Sequence, residues 1–226
     1  MDKGVCIFNQ KQWNISRIDL VKLGSDIQLN SHDNGSKIKF SRAVVIGDIF
    51  EERISFFQLD KLNIKNSAIR EDYCNELAKC SQLEKLLDIL KLILPRPFLE
   101  NKRPKILVEL IDRQFENTEG IPPHSDGTSY LFFLVMCNTM EGGDLLIYSS
   151  TNNVPNGKLP DGSECYAAES SERLATLKCN AGNGYLIEEK RLGGKPKIWH
   201  GCKPWKSSKE PLNKRKSLRI AFYSED

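Results

Sequence analysis

The sequence lacks a long apolar segment, and only three of its 226 residues are histidines. No run of about 18 consecutive apolar residues occurs, which excludes a transmembrane helix. The first residues, MDKGVCIFNQKQWN, contain neither the apolar core nor the cleavage site of a secretory signal. Seven cysteines are present, but their number is odd and no pair has CxxC spacing, which argues against a zinc ribbon or a disulfide framework. These absences predict a cytoplasmic protein with reduced thiols.

The composition is that of an ordinary globular protein, with 39% hydrophobic and 28% charged residues. The length suffices for one domain over residues 1–226. A net charge of +3 is too small to indicate nucleic-acid binding by itself. Between residues 203 and 219, however, only Glu210 opposes a series of basic residues: Lys203, Lys206, Lys209, Lys214, Arg215, Lys216 and Arg219. This segment could serve a nucleic acid or an acidic substrate.

Two regions differ in their apolar pattern. Residues 1–100 contain strand-like runs at residues 26–29, 37–50 and 54–59. His32 lies in a turn between the first two runs and is expected to be solvated. A helical pattern then follows from about residue 66 to residue 94. The apolar positions of that pattern are Ile69, Tyr73, Leu77, Cys80, Leu83, Leu87, Leu90 and Leu94. Pro95 and Pro97 are expected to end the helix. We interpret residues 1–100 as an N-terminal α/β segment that supports the remainder.

Residues 101–226 contain short β-rich runs: KILVELI, YLFFLVM, DLLIY, LATLKC, GYLIEE, KIWHGC and SLRIAFY. Turn-forming sequences separate them, which is typical of an antiparallel sandwich or barrel. The fold class is therefore mainly β with a flanking helix. The long polar connection over residues 149–173 is expected to lie over the rim.

Two histidines and an aspartate stand out in the β-rich half. Pro122 and Pro123 favour an extended backbone in IPPHSDG, so His124 and Asp126, two residues apart, project to the same side. His200 lies in the alternating run KIWHGC. Two histidines and one carboxylate form the facial triad of non-haem Fe(II) sites, which leaves coordination positions open. The alternative for each histidine is a core residue with a hydrogen-bond partner.

The ordered segments HSD, EGGDLLIY, NAGNGYLI, HGCKP and RKSLRIAFY resemble the 2-oxoglutarate- and Fe(II)-dependent oxygenases, in particular their prolyl-4-hydroxylase-like branch. The resemblance covers roughly residues 104 to 226. It implies a double-stranded β-helix (a jelly-roll, cupin-like core) with His124, Asp126 and His200 as metal ligands at its open mouth. It also implies a basic residue, on the last strand and pointing inward, that holds the distal carboxylate of 2-oxoglutarate.

Alternation along RKSLRIAFY separates two faces: Leu218, Ile220 and Phe222 on one, and Arg215, Ser217, Arg219 and Ala221 on the other. This parity excludes Lys216 as the carboxylate-binding residue. Arg215 with Ser217 resembles the family's Arg-x-Ser pairing, and Arg219 with Ala221 is the alternative. An arginine suits the role because its planar guanidinium can grip a carboxylate through two hydrogen bonds.

Two positions depart from the family pattern. Cys202 stands where such proteins often have valine, two residues from His200 and on the same side. Met136 lies where some prolyl hydroxylases have a tyrosine that binds the co-substrate, and Tyr130, on the same face by parity, is a candidate replacement.

The resemblance implies an Fe(II)- and 2-oxoglutarate-dependent dioxygenase that uses O2. Such a hydroxylase would act on an unactivated C–H bond of an amino acid, a peptide side chain or another small molecule, with succinate and CO2 as co-products. One alternative is a non-catalytic metal-binding jelly-roll protein. The other is a nucleic-acid-modifying oxygenase that uses the basic residues 203–219. It ranks lower because only Trp205 is available for base stacking between Lys203 and Arg215.

Overall fold

A computed structural model describes residues 4–9, 40–48, 81–102, 104–113, 116, 118–149, 154–159, 164–168, 172–190, 198–206 and 215–223. The sequence-predicted strands at residues 26–29 and 54–59, the turn with His32 and the first part of the predicted helix lie outside the described residues. Within them, no helix is long and apolar enough to cross a membrane.

Two six-stranded sheets form the body of the described structure. The first sheet contains β1 (Val5–Phe8), β2 (Phe40–Asp48), β3 (Lys105–Arg113), β5 (Tyr130–Asn138), β11 (Gly184–Glu188) and β14 (Arg215–Tyr223), in the order β1-β11-β5-β14-β3-β2. The second contains β4 (Ile121–His124), β7 (Leu145–Ser149), β8 (Pro155–Lys158), β9 (Glu164–Tyr166), β10 (Arg173–Leu177) and β12 (Ile198–Cys202), in the order β10-β7-β12-β4-β9-β8. A short pair joins β6 (Glu141–Gly142) to β13 (Trp205–Lys206).

All pairs among the described strands are antiparallel, and the chain passes back and forth between the two sheets, with β3, β5, β11 and β14 in the first and β4, β7 and β12 in the second. Side chains from both sheets meet in a shared interior, where Val135 and Tyr185 of the first sheet pack with Leu145, Ile147 and Ile198 of the second. This arrangement is a double-stranded β-helix, as the sequence predicts. The N-terminal strands β1 and β2 extend the first sheet at its two edges.

One leucine-rich helix covers the outer face of the first sheet. Helix α1 spans Ser81–Ile93 and buries Leu83, Leu87 and Leu90 against the sheet. The predicted helical face is thereby confirmed over the described residues. A second helix, α2 (Arg96–Lys102), follows and was not predicted from the sequence. Pro97 lies in its first turn, where a missing backbone N–H costs no intrahelical hydrogen bond.

The strand parity predicted for the C-terminal run is also confirmed. Leu218, Ile220 and Phe222 of β14 pack in the same cluster as the leucines of α1, so the helix-facing and interior-facing residues alternate along the strand. The connection over residues 149–173 differs from the expected loop. It contains β8 and β9, and β9 pairs with β4 opposite His124, so this segment extends the second sheet.

Leu90 provides a test of the helix–sheet packing because its side chain is fully buried, whereas Leu92 on the same helix is 87% exposed. We expect Leu90→Ala to lower the free energy of unfolding by about 2–5 kcal/mol, since it removes buried methylene groups and leaves a cavity. Leu92→Ala, the matched control, should change it by less than about 0.5 kcal/mol. Urea unfolding of both variants measures the difference, and equal losses would contradict this packing.

Candidate metal centre and the adjoining cavity

Strands β4 and β12 bring the two candidate histidines together. Their register pairs His124 directly with His200, and residues directly opposite each other in an antiparallel pair project to the same face. The two imidazole rings are buried, with their centroids 4.3 Å apart. Phe133, from the facing sheet, packs edge-on against His200 with centroids 5.6 Å apart. The two histidines that the sequence singled out are therefore neighbours in space.

Asp126 follows β4 in a tight turn. Gly127 has a φ of +75°, which favours glycine, and its backbone N–H donates to Oγ of Ser125 at 3.1 Å. The turn directs the carboxylate back towards the histidines. Oδ1 of Asp126 lies 3.6 Å from Nε2 of His124, and Oδ2 lies 3.8 Å from Nε2 of His200.

These three side chains fit a metal ion. One ligand atom from each lies within 4.8 Å of the other two. Two donor atoms that each lie about 2.1 Å from one ion can be separated by at most about 4.2 Å. The two histidine–carboxylate distances, which involve different oxygens of Asp126, lie within this limit. Two imidazole nitrogens and one carboxylate are the donor set of a non-haem Fe(II) site with open positions.

The hydrogen bonds of His124 direct one ring nitrogen towards the ion. Nδ1 lies 2.8 Å from the carbonyl oxygen of Pro122. A carbonyl only accepts, so Nδ1 carries the proton and Nε2, which faces Asp126, has its lone pair free for a metal. Burial, with a further contribution from His200, lowers the pKa of His124. The ring is therefore held in the neutral form that coordinates metals.

Glu189 was not identified from the sequence, yet it is fully buried beside the triad. Its Oε1 lies 2.9 Å from Nδ1 of His200, a short contact that is not well aligned for a hydrogen bond. Burial lowers the pKa of His200, but the carboxylates of Glu189 and Asp126 outweigh burial and raise it above its usual value. The only sequence signal was a second glutamate at the end of the apolar run GYLIEE.

Arg219 contacts the triad itself. Its Nη1 donates to Oδ2 of Asp126 at 2.6 Å, and its Nε donates to Glu109 of β3. Burial lowers the pKa of Arg219, but the two carboxylates outweigh it and raise the pKa. The charge of this guanidinium is thus matched by acidic groups of the chain.

Arg215 lies on the same face of β14 and is also buried. Its Nη1 donates to the carbonyl oxygen of Gly143 at 2.8 Å, and its Nη2 donates to Sγ of Cys179 at 2.7 Å. Sγ of Cys202 is 3.7 Å from Nη1. Among the residues that the structure describes, no carboxylate forms an ion pair with Arg215. Nε of Arg215 and Oγ of the neighbouring Ser217 are buried without a hydrogen-bond partner.

One cavity joins these groups. It has a volume of about 80 Å³ and is lined by His124, His200, Arg215, Ser217 and Arg219, with apolar walls that include Phe133, Val135 and Leu145. Lys216 does not line it, in agreement with the predicted parity. Cys202 does line it, on the same side as His200.

The suggested role of Tyr130 as the tyrosine that binds the co-substrate, in place of Met136, is wrong. Both side chains belong to the cluster between the first sheet and the helices, and Tyr130 packs edge-on against Phe98 of α2. Alternation along β5 instead directs Phe133 and Val135 into the cavity. The tyrosine that does line the cavity is Tyr185 of β11, whose hydroxyl donates to the carbonyl oxygen of Lys178.

The basic segment 203–219 is less exposed than its sequence suggests. Arg215 and Lys216 are buried, and Lys203 lies 3.3 Å from a carboxylate oxygen of Asp144. Of the basic residues that the structure describes in this segment, only Lys206 is exposed. Part of the positive charge that the described residues of this segment carry is therefore buried.

No protein-family model matches the sequence, and no curated protein sequence matches it significantly. Solved structures are similar in fold. IDO from Bacillus thuringiensis has a TM-score of 0.62 and 14% identity, covering 100% of this chain and 92% of that chain. The Fe(II)/α-ketoglutarate-dependent dioxygenase TqaL has a TM-score of 0.61 and 12% identity, covering 99% and 83%. A bsmA homologue from Methylobium petroleophilum has a TM-score of 0.59 and 11% identity, covering 99% and 89%. At such identities the likeness shows the jelly-roll fold that this chain shares with TqaL.

A substitution at Gly143 tests how firmly the side chain of Arg215 is fixed in its position. Its φ is +70°, and a Cβ there would overlap Nη1 of Arg215. Gly157 has a comparable φ of +89° but no atom within 4 Å of a Cβ. Both alanine variants carry the backbone cost of about 1–2 kcal/mol, and only Gly143→Ala also crowds a buried side chain. We therefore expect Gly143→Ala to destabilise the fold by about 1–3 kcal/mol more than Gly157→Ala in urea unfolding. Equal losses would mean that Arg215 moves freely.

Proposed function

We propose that the protein is an Fe(II)- and 2-oxoglutarate-dependent dioxygenase that hydroxylates an unactivated C–H bond. His124, Asp126 and His200 would hold the metal, and Arg215 with Ser217 would hold the distal carboxylate of 2-oxoglutarate. The substrate would be an amino acid, a peptide side chain or another small molecule. Succinate and CO2 would be the co-products.

The observation that carries this proposal is one cavity lined both by two candidate metal-ligating histidines and by a buried arginine that has no carboxylate partner among the described residues. Burying a guanidinium without a carboxylate is costly, because the charge loses its hydration. Nε of Arg215 and Oγ of Ser217 are buried polar atoms without a hydrogen-bond partner, and such atoms in a folded protein call for an explanation. A carboxylate bound between them would supply both the missing charge and the missing acceptor.

The two arginines of β14 differ in whether carboxylates of the described chain compensate their charge. Asp126 and Glu109 already neutralise Arg219, whereas Arg215 is bound, among the described residues, only to a carbonyl oxygen and thiols. This contrast favours Arg215 over Arg219 as the co-substrate residue. Arg219 is better suited to hold the carboxylate of Asp126 in place.

The remaining groups of the cavity would exclude water and orient the co-substrate. Phe133, Val135 and Leu145 line the space that also contains the histidines and Arg215. Because the apolar wall offers no hydrogen bonds to the middle of the diacid, the polar groups at the two ends of the cavity would determine how 2-oxoglutarate is oriented. With iron bound, the iron and 2-oxoglutarate supply the oxidising chemistry for cleaving the C–H bond, and the protein supplies geometry and a dry site.

Two other functions receive less support. A non-catalytic metal-binding jelly roll would account for the triad, but it has no use for an anion site in the same cavity. A nucleic-acid-modifying oxygenase would need an exposed basic surface. Of the described basic residues in 203–219, two are buried and one is paired with Asp144, which favours a small-molecule or protein side-chain substrate.

The first experiment is anaerobic addition of Fe(II) and 2-oxoglutarate to the metal-free protein. We expect the visible charge-transfer band of the Fe(II)–2-oxoglutarate chelate, followed by release of succinate when oxygen is admitted. His124→Ala, Asp126→Ala and His200→Ala should each abolish the band because each removes a metal ligand. Iron binding without the band would favour the metal-binding jelly roll, and wild-type iron affinity in all three variants would exclude the triad.

The arginine assignment is tested separately. Arg215→Ala should raise the apparent Kd for 2-oxoglutarate by about 30-fold or more, the equivalent of losing a buried charge contact of about 2–5 kcal/mol, while iron affinity stays within about threefold. Lys206→Ala, at an exposed lysine, is the control and should leave both constants unchanged. Arg219→Ala should instead weaken iron binding, because Arg219 contacts the ligand Asp126. The reverse pattern, with 2-oxoglutarate affinity lost only in Arg219→Ala, would exchange the two roles.

A further inference from the structure

Glu189 is a fully buried carboxylate that the proposed function does not use. It follows β11 directly, so it extends from the first sheet towards the turn that carries Asp126. Its own backbone N–H donates to the carbonyl oxygen of Ser129 at 3.1 Å. A carboxylate removed from water is unfavourable unless hydrogen-bond donors surround it, so its partners indicate its role.

Each oxygen of Glu189 faces two hydrogen-bond donors. Oε2 accepts from the backbone N–H of Thr128 at 3.1 Å and from its hydroxyl at 2.7 Å. Oε1 accepts from the backbone N–H of Asp126 at 3.2 Å and lies 2.9 Å from Nδ1 of His200. A single oxygen atom thus lies between two of the three metal-ligand residues, which come from different elements of the second half of the chain.

We propose that Glu189 is a positioning residue for the metal centre, which fixes the ring of His200 and the backbone of Asp126 relative to each other. This inference rests on the metal centre of the proposed function. With its proton on Nδ1 beside Oε1, the neutral ring of His200 directs the Nε2 lone pair towards Asp126. The same oxygen holds the main chain of Asp126, so both ligands are set by one carboxylate.

The contact also strengthens His200 as a ligand. A carboxylate next to the Nδ1–H group makes the other nitrogen of an imidazole more basic, and losing such a partner typically costs 10- to 100-fold in metal affinity. His124 has a carbonyl oxygen in the corresponding position, at 2.8 Å from its Nδ1. The two histidines are therefore held by different kinds of acceptor.

Glu189→Gln tests this role with little change of shape. A carboxamide has only one acceptor oxygen, so in either orientation its NH2 group faces two of the donors that Glu189 binds. We expect the variant to bind Co(II), used as a spectroscopic probe of the metal-free protein, with a Kd 10- to 100-fold higher than that of the wild type. The visible d–d band of bound Co(II) should also shift, because the coordination by His200 changes.

Two further variants separate positioning from a merely structural effect. Thr128→Val removes the hydroxyl donor from Oε2 only and should lower the melting temperature while changing the Co(II) spectrum little. Glu188→Gln, at the adjacent acidic residue, should keep the wild-type Kd and spectrum. A wild-type Kd and spectrum in folded Glu189→Gln would overturn the proposal. Absence of Co(II) binding by the wild type would remove the metal centre itself, and this role with it.

If Glu189→Gln does not fold, the wild-type protein answers the question. In protein labelled with 15N-histidine and loaded with diamagnetic Zn(II), the Nδ1–H proton of His200 should resonate downfield and exchange slowly with water, as expected for a proton held by a buried carboxylate. A His200 ring that carries no such proton would overturn the proposal.

Discussion

The register between β4 and β12 is the constraint on which the candidate site depends. His124 and His200 are direct partners across this strand pair, and a slip of one residue would turn one imidazole to the opposite face of the sheet. Strand β7 holds β12 on its other side, with Ile147 paired to His200. Asp126 then needs only the short turn after β4 to reach both rings. A few main-chain hydrogen bonds thus determine where three ligand atoms meet.

Around that point, charge is arranged in two different ways. Near the triad, Arg219 contacts the carboxylates of Asp126 and Glu109, and Glu189 contacts His200. Elsewhere in the same cavity, Arg215 has only neutral partners among the residues that the structure describes. A guanidinium that is paired with carboxylates has its charge compensated, whereas a buried cation without such a partner favours an anionic ligand. This difference is the basis for proposing different roles for two arginines that lie four residues apart.

Much of the fold was accessible from the sequence because alternation and helical periodicity report which faces are buried. The leucine face of α1, the strands of the β-rich half and the parity of β14 are of this kind. The choice between Arg215 and Arg219 was not accessible, since both share a face and only their partners differ. Glu189 was missed because its three hydrogen-bond donors belong to residues 61–63 positions away, and its contact with His200 joins the end of β11 to β12. Likewise, β9 pairs through Cys165 in a polar segment whose sequence has no strand pattern.

Strand β14 lies between β3 and β5 and is hydrogen-bonded along nearly its whole length on both sides. Four residues of extended chain separate its two arginines by roughly 13 Å along the strand. Neither arginine can shift along the strand without breaking the hydrogen bonds to both β3 and β5. The distance between the two arginines is therefore fixed by the sheet. If related proteins bind a longer or a shorter acid between the triad and Arg215, the cavity walls must differ, for example at Leu145 or Phe133. The spacing along β14 would stay the same.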